Sequence, residues 1–459
     1  MKTTDEFDAV MLGSGQAANP LSSAFVRAGK RVAVVERALI AGTCINYGCT
    51  PTKTMAASAQ RAHMVRTAGE LGINVSGFEV NMERVRQRKR DMVTSFRSGS
   101  EKRFANGSPE LIRGEASFVS PHEIRVKLND GGEDRRIQAE LIVIDTGTSP
   151  RIPSIEGLRD VPYLDNASLM EVDEVPEHLL ILGGGYIAVE FGQMFRRFGS
   201  RVTIIETSEH VLAREDDDVA AALMQILRED GIEIVTQAKV EVVSGASGRV
   251  RLQLKDAQVL EGSHLLVATG RKPNTQELHL QAAGVETDDK GFVRVNEQLQ
   301  TNVPHIYAAG DVTGGPEFTH ISYDDYRILR DNLLGGGQRK TSDRMVPYVV
   351  YTDPQLGRVG LTEKDARQEG KRIKVGQMPM TSVARAKETG EARGLMKVIV
   401  DAESDQLLGV AVLGAEGGEI MSMLQIAMMG KLQYQALVDA ILAHPTYAES
   451  LNNVFLNLK

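Results

Sequence analysis

Cys44 and Cys49 are the only two cysteines in a chain of 459 residues. They stand five apart in the run Gly42-Thr43-Cys44-Ile45-Asn46-Tyr47-Gly48-Cys49-Thr50-Pro51-Thr52-Lys53. Two thiols so close together suit catalysis or metal binding, whereas disulfides that staple a secreted fold are spread along the chain. The nine histidines are scattered, and none forms a metal-ligand spacing beside another cysteine, which argues against a structural zinc site. Pro51 suits the first turn of a helix that continues through Ala68. Both cysteines are therefore expected at a helix N-terminus, where the dipole favours thiolate over thiol and makes the pair reactive. Lys53, four residues past Cys49 on the same helix, is a cation within reach of a thiolate.

Those thiols need elements to position them, and one pattern occurs twice. Residues 7–12 are an apolar strand followed by Gly13-Ser14-Gly15-Gln16-Ala17-Ala18; a helix then reaches Gly29, and a second strand, 31–36, ends in Glu36. Residues 179–182 lead into Gly183-Gly184-Gly185-Tyr186-Ile187-Ala188, a helix reaches Gly199, and residues 201–206 end in Glu206. Glu36 stands 23 residues after Gly13, and Glu206 stands 23 after Gly183. Each is a βαβ unit of the dinucleotide-binding type. The glycines admit a pyrophosphate to the backbone, the helix N-terminus offers N–H donors, and the acid accepts hydrogen bonds from the adenosine ribose. With two such sites, one dinucleotide can pass electrons to another.

Residues 115–145 alternate apolar and polar around Asn129-Asp130-Gly131-Gly132, a hairpin signal, and residues 245–262 repeat that pattern after the second unit. From Met345 onward the expected strands are 346–351, 395–401 and 407–413, followed by helices 419–429 and 435–441, which read as a separate α+β domain. The net charge of −8 argues against nucleic acid or an anionic membrane surface as the main partner. No apolar run is long enough to span a bilayer. The polar, acidic N-terminus enters a strand directly, so no signal peptide is expected and the cytoplasm is the expected location.

Further motifs lie along the chain: Gly114-Glu115-Ala116, Thr146-Gly147, Ala268-Thr269-Gly270-Arg271-Lys272-Pro273-Asn274, Thr301, Ile306-Tyr307-Ala308-Ala309-Gly310-Asp311, Tyr351-Thr352-Asp353-Pro354, and His444-Pro445-Thr446-Tyr447-Ala448-Glu449. With the cysteine run and both glycine turns, they resemble the flavoprotein pyridine nucleotide–disulfide oxidoreductases, the family of lipoamide dehydrogenase, glutathione reductase and mercuric reductase, over essentially the whole chain.

The resemblance implies an α/β fold with two Rossmann-like dinucleotide-binding domains, for FAD and NAD(P), and a C-terminal α+β dimerisation domain. The expected divisions are 1–150 and 272–344 for FAD, 151–271 for NAD(P), and 345–459 for dimerisation. The expected FAD contacts are Gly13, Ser14, Gly15, Gln16, Ala17, Glu36, Arg37, Gly42, Thr43, Lys53, Ala116, Thr146, Gly147, Gly310, Asp311 and Thr319, with Asp311 on the ribityl chain. On the nicotinamide side they are Gly183, Gly185, Tyr186, Ile187, Glu190, Glu206 and Gly270. The resemblance also implies that Cys44 is the interchange thiol facing substrate and that Cys49 faces the flavin. Read from the residues themselves, Lys53 is a cation placed to stabilise a thiolate and a reduced flavin anion together, with Glu190 in the helix after the second glycine turn as its expected partner. His444, positioned by Glu449, would act as acid–base across a homodimer whose active sites are shared.

The run Gly48 to Thr54 and the stretch Gly314 to Arg327 resemble a mercuric-reductase-like subgroup that includes the copper(II)-reducing flavoprotein of the bacterial reactive-chlorine response. The absence of a C-terminal cysteine pair weakens the assignment to mercury. Asp145 stands where the first Thr-Gly motif usually has a small residue, and nothing in the sequence accounts for it. Met421, Met423, Met428 and Met429 read as an apolar helix face at the dimer interface rather than a copper site.

The leading reading is an NAD(P)H-dependent reductase of a metal ion or small oxidant, with Cys44 and Cys49 as proximal reductant or metal ligands. The alternatives are a dihydrolipoamide dehydrogenase or other organic disulfide reductase, and a slow flavin-binding redox sensor. Glu206, followed by Thr207-Ser208-Glu209-His210, favours NADH, with NADPH as the alternative; Arg214 lies further along.

Overall fold

The apolar run near the N-terminus becomes the strand Asp5–Leu12, flanked by Val32–Glu36 on one side and Arg135–Ile144 on the other, all parallel. Glu110–Phe118 extends this sheet beyond Val32–Glu36, and Ile306–Ala308 extends it beyond Arg135–Ile144. A strand buried on both faces reads as a continuous apolar run, as Val10, Met11 and Leu12 do here. Glu123–Leu128 pairs antiparallel with both neighbouring strands, and the glycine-rich turn after it closes the expected hairpin. One face of the sheet packs on helices Ala18–Arg27 and Thr319–Leu334 through Leu21, Phe25, Tyr326 and Leu329. The other packs through Phe7, Leu12, Ile124, Ile137 and Leu280.

These elements belong to the first of two units in the computed structural model, which describes residues 4–459. The first unit is Met1–Thr54, Gln87–Arg151 and Gly270–Arg344; the second is Met55–Arg86, Ile152–Thr269 and Met345–Lys459.

The second unit holds a parallel sheet ordered His264–Val267, His178–Leu182, Arg201–Ile205, Ile232–Val235. An antiparallel layer, Val240–Ala246, Arg249–Leu254 and Val259–Gly262, is inserted in the chain between Ile232–Val235 and His264–Val267. The C-terminal residues form a five-stranded antiparallel sheet ordered Tyr348–Val350, Gln355–Gly360, Leu407–Gly414, Leu395–Asp401, Ile373–Pro379, with helix Gly417–Met429 packed on it. No helix among the described residues is long and apolar enough to cross a membrane.

Three details differ from the sequence expectation. Gln355–Gly360 and Ile373–Pro379 were not foreseen, because Arg358, Pro379 and their glycines break the alternating pattern. The strand expected over 346–351 is only Tyr348–Val350, preceded by Pro347, which has no N–H for a ladder. The helix expected over 435–441 is Tyr434–Val438. The Asn452 side chain donates to the carbonyls of Leu437, Val438 and Ala440 at 2.7, 3.2 and 2.9 Å, and the chain leaves the helix there.

Candidate active site

The cysteine run is short helix, turn, long helix. Cys44 lies inside Gly42–Asn46, and Cys49 opens Cys49–Thr67, with Pro51 in its first turn. Ala41 and Gly42 both have positive φ, 80° and 67°, which swings the run against the first glycine turn. A Cβ on Gly42 would lie 3.0 Å from the Cα of Gly15, so only glycine permits this approach. The side chains of that turn hold the run in place. Ser14 Oγ accepts the Ala41 amide at 3.1 Å, and Gln16 Nε2 donates to the Ala41 carbonyl at 3.2 Å. Asn46 Nδ2 donates to the carbonyls of Ile40 and Gly42 at 2.8 and 2.9 Å. The dithiol is thus built onto the dinucleotide turn.

Cys44 is half-buried and Cys49 exposed. They are not equivalent, which corrects the expectation that the helix end favours thiolate at both. The hydrogen bond from Cys44 to Cys49 pushes the Cys44 thiol up, and burial pushes it further. Cys44 keeps its proton as long as Cys49 can accept from it. Thr319, the first residue of helix Thr319–Leu334, has its hydroxyl 3.4 Å from Cys49 Sγ, and its hydrogen bond to Cys44 works in the opposite direction, lowering that thiol. Lys53 lies one turn past Cys49 on the same helix.

The first glycine turn has the shape of a nucleotide cradle. Gly13, at φ 101°, sits so close to the Asp145 carbonyl that a Cβ would be 2.2 Å from it. Gln16 and Ala17 then lead into helix Ala18–Arg27, whose N-terminus carries no local side-chain cap. Glu36 Oε2 accepts from the amide and hydroxyl of Ser14 at 3.1 and 2.6 Å, and Oε1 from the Ala38 amide at 2.8 Å. Oε1 keeps a lone pair for a ribose hydroxyl. The other expected FAD residues fall around the same edge or behind it. Thr43 is in the Cys44 helix, and Arg37 pairs with Glu115 at 3.5 Å. Ala116 lies in strand Glu110–Phe118. Thr146 exchanges hydrogen bonds with Asn274, each at 2.9 Å, and the Gly147 carbonyl accepts the Asn274 amide at 3.0 Å. Gly310, at φ 71°, donates its amide to Asp325 at 2.8 Å. Asp311 accepts from Thr148 at 3.3 Å; burial pushes its carboxyl up, against the pull of Arg271. Asn274 and Asp325 lie in motifs noted in the sequence but were given no role there, because their role depends on partners more than ten residues away.

The second turn repeats the design in the second unit. Gly183 has φ 110°, and a Cβ there would lie 2.4 Å from the Ala268 carbonyl; a Cβ at Gly185 would meet nothing within 4 Å, leaving the backbone open to a phosphate. Tyr186 and Ile187 start helix Tyr186–Phe198. Glu206 Oε1 accepts from the Ser208 amide at 2.7 Å and the Thr207 hydroxyl at 3.0 Å, which fixes its carboxylate beside the turn. Glu190 is buried, with Oε1 accepting the Tyr351 amide at 2.9 Å. Gly270 belongs to the first unit, where its carbonyl accepts the Arg151 amide at 2.9 Å.

His444 lies in the coil after Tyr434–Val438, with Nδ1 2.9 Å from both oxygens of Glu449. That hydrogen bond and the carboxylate charge raise the imidazole above its ordinary value. The side chain is 67% exposed. On helix Gly417–Met429, Met421 and Met428 are buried while Met423 and Met429 are exposed, so the four sulfurs do not share one face. No cluster of three or more His, Cys, Asp or Glu that could hold a metal occurs among the described residues.

Comparison with known proteins agrees with this geometry. Residues 7–325 match the pyridine nucleotide-disulphide oxidoreductase family, and residues 346–455 match its dimerisation domain. The chain is 39% identical to the probable pyridine nucleotide-disulfide oxidoreductase RclA of Escherichia coli (strain K12), over 99% of this chain and 100% of that one. It is 35% identical to a mercuric reductase of Staphylococcus aureus, over 97% of this chain and 81% of the relative. Among solved structures it is similar to the Cu(II) complex of the HOCl-induced flavoprotein disulfide reductase RclA from Escherichia coli, with a TM-score of 0.90, 38% identity, and 99% of each chain covered. These matches span both glycine turns, the dithiol and the C-terminal sheet, and the chain belongs to the pyridine nucleotide-disulphide oxidoreductase family, whose members use FAD with NAD(P)H.

Proposed function

We propose that this chain is an NADH-preferring reductase of a metal ion, copper(II) or mercury(II), or of a small oxidant, with the Cys44–Cys49 dithiol as proximal reductant. The observation that carries this reading is the Gly42–Gly15 approach, which builds the dithiol onto the first dinucleotide turn. The relatives named above, an RclA structure with Cu(II) and a mercuric reductase, support a metal acceptor.

Bound FAD supplies two-electron transfer between the nicotinamide and the dithiol. In this reading residues 1–150 and 272–344 hold FAD, 151–271 hold NADH, and 345–459 dimerise. Glu36 and Glu206 accept from the two adenosine riboses, and Asp311 accepts from the ribityl chain. Cys49 faces the flavin and Cys44 faces the acceptor. Lys53 supplies positive charge one turn from Cys49. The electrons balance simply: one NADH restores one dithiol, and that dithiol reduces two copper(II) ions or one mercury(II) ion on closing to the disulfide.

A second reading, reduction of an organic disulfide, is favoured by one observation, the His444–Glu449 pair. A leaving thiolate needs a proton, and a metal ion does not. In a homodimer, His444 serves the partner's dithiol; Met423, Ile426 and Met429, exposed on helix Gly417–Met429, supply apolar surface for that contact. Steady-state NADH oxidation with copper(II), mercury(II), lipoamide and glutathione disulfide separates these readings. Negligible turnover with all four would favour a redox sensor instead.

A further inference from the structure

Asp145 follows the strand Arg135–Ile144 at the carboxyl edge of the first unit's sheet and is almost wholly buried. Its amide donates to the Leu12 carbonyl at 2.8 Å, which fixes it beside the start of the glycine turn. Its Oδ2 accepts the Ala18 amide at 2.8 Å. Ala18 begins the nucleotide helix, whose N-cap residue Ala17 makes no side-chain cap. Asp145 therefore supplies, from 127 residues away, the acceptor that a local serine or aspartate usually provides. The carboxyl also fills the space beneath two glycines. A Cβ on Gly15 would lie 2.7 Å from Oδ2, and one on Gly310 would lie 3.0 Å from Oδ1.

The surroundings of this carboxyl are acidic. Asp311 lies on the turn after Ile306–Ala308, Asp325 on helix Thr319–Leu334, and Glu36 at the end of Val32–Glu36. Asp325 has Arg344 as its ion partner, Asp311 is faced by Arg271, and Glu36 is held by Ser14. Asp145 has no ion-pair partner among the described residues. Burial pushes its carboxyl far up, Asp311, Asp325 and Glu36 push the same way, and only the Ala18 amide pulls it down. A helix N-terminus favours an anion, but one N–H does not offset burial of an unpaired charge.

We propose that Asp145 is a positioning residue of the flavin site that clamps the glycine turn through the Ala18 amide and ties flavin retention to pH. The proposal rests on the reading of the first turn as the flavin site. A dinucleotide turn holds its pyrophosphate at the helix N-terminus, the end that Asp145 caps. In its neutral form the acid adds an O–H donor there. Ionised, it adds a charge that repels the phosphates. The sign follows from linkage: a carboxyl raised by folding contributes stability below its ordinary range and loses it as pH rises through the raised value. Flavin phosphates raise the acid again, so flavin affinity falls as pH rises.

The test is flavin release from the holoenzyme, followed by fluorescence on dilution across a pH series, for wild type, Asp145→Asn and Asp145→Ala. Asparagine keeps an acceptor for Ala18 and an N–H donor but cannot ionise. Wild type is expected to bind flavin more weakly at high pH, by up to about tenfold per pH unit. Asp145→Asn is expected to match wild type at low pH and to stay flat as pH rises. Asp145→Ala is expected to release flavin at every pH. An Asp145→Asn profile that falls like wild type overturns the role of Asp145, and so does an Asp145→Ala variant that retains flavin normally. A wild type isolated without any flavin overturns the reading of the first turn as well.

Discussion

The Cys49 sulfur and the Thr319 hydroxyl lie 3.4 Å apart although 270 residues separate them in the chain. The contact joins the start of helix Cys49–Thr67 to the start of helix Thr319–Leu334, so two helix N-termini converge on one dithiol. The Thr319 hydroxyl also hydrogen-bonds Cys44 and lowers it, opposing the larger upward push from Cys49. Thr319→Val should therefore raise the Cys44 thiol further. One neutral hydrogen bond contributes about 1 kcal/mol, or roughly a fivefold change. The pH dependence of alkylation of the reduced enzyme checks this: the Cys44 limb should move to higher pH, and an unmoved limb would remove Thr319 from the thiol chemistry.

His444 is held above its ordinary value by Glu449. A raised imidazole keeps its proton to higher pH and loses it as pH rises through that value. With glutathione disulfide or lipoamide as acceptor, the basic limb of the kcat/KM profile should lie above the ordinary histidine range, and Glu449→Gln should bring it down. His444→Ala should slow disulfide turnover by roughly two to four orders of magnitude while flavin reduction by NADH stays fast. With copper(II) the loss should be much smaller. A profile unmoved by Glu449→Gln would remove the pair from proton transfer.

Glu206 is fixed by Ser208 and Thr207 beside the second turn. A 2′-phosphate brought against that carboxylate meets like charge with little screening. NADH should be used more efficiently than NADPH, and Glu206→Ala should narrow the ratio of kcat/KM values by about one to two orders of magnitude. A wild-type preference for NADPH would overturn this reading of the site.

Arg358 is buried in the second unit, 3.2 Å from Asp216 and 3.7 Å from Glu215, with Tyr348 hydrogen-bonded to Glu215. Asp216 also accepts the Glu363 amide at 2.9 Å, tying helix Glu363–Gln368 to the network. Removing Arg358 takes the ion partner from Glu215, while Asp216 keeps Lys397 at 3.6 Å; breaking a buried pair costs about 3–5 kcal/mol. Arg358→Met should cost about that much in a denaturant titration of the holoenzyme. A loss of under about 1 kcal/mol would mean that water reaches these carboxylates.

Much of this architecture was legible in the sequence because it rests on local rules. Gly13, Gly15, Gly183 and Gly185 follow apolar strands and open helices, and Pro51 marks the helix that begins at Cys49. Asp145 was visible only as an oddity, since its partners Ala18, Gly15 and Gly310 come from distant segments. The difference between the two thiols was hidden for a similar reason. Spacing places both near a helix end, but the hydrogen bond between them and the burial of Cys44 decide which keeps its proton. Strand Gln355–Gly360 was missed because its buried Arg358 reads as a surface residue until Glu215 and Asp216 are seen beside it.

The central claim is that electrons leave the protein through Cys44 and Cys49. The most direct measurement is anaerobic NADH oxidation with copper(II), with copper(I) trapped by a chelator, in wild type, Cys44→Ser and Cys49→Ser. Wild type should form two copper(I) for each NADH consumed, since a hydride carries two electrons and each copper takes one. Either serine variant should keep its flavin and lose turnover by roughly a hundredfold or more. Serine variants that reduce copper(II) at the wild-type rate would contradict the account, because electrons would then reach the metal without the dithiol.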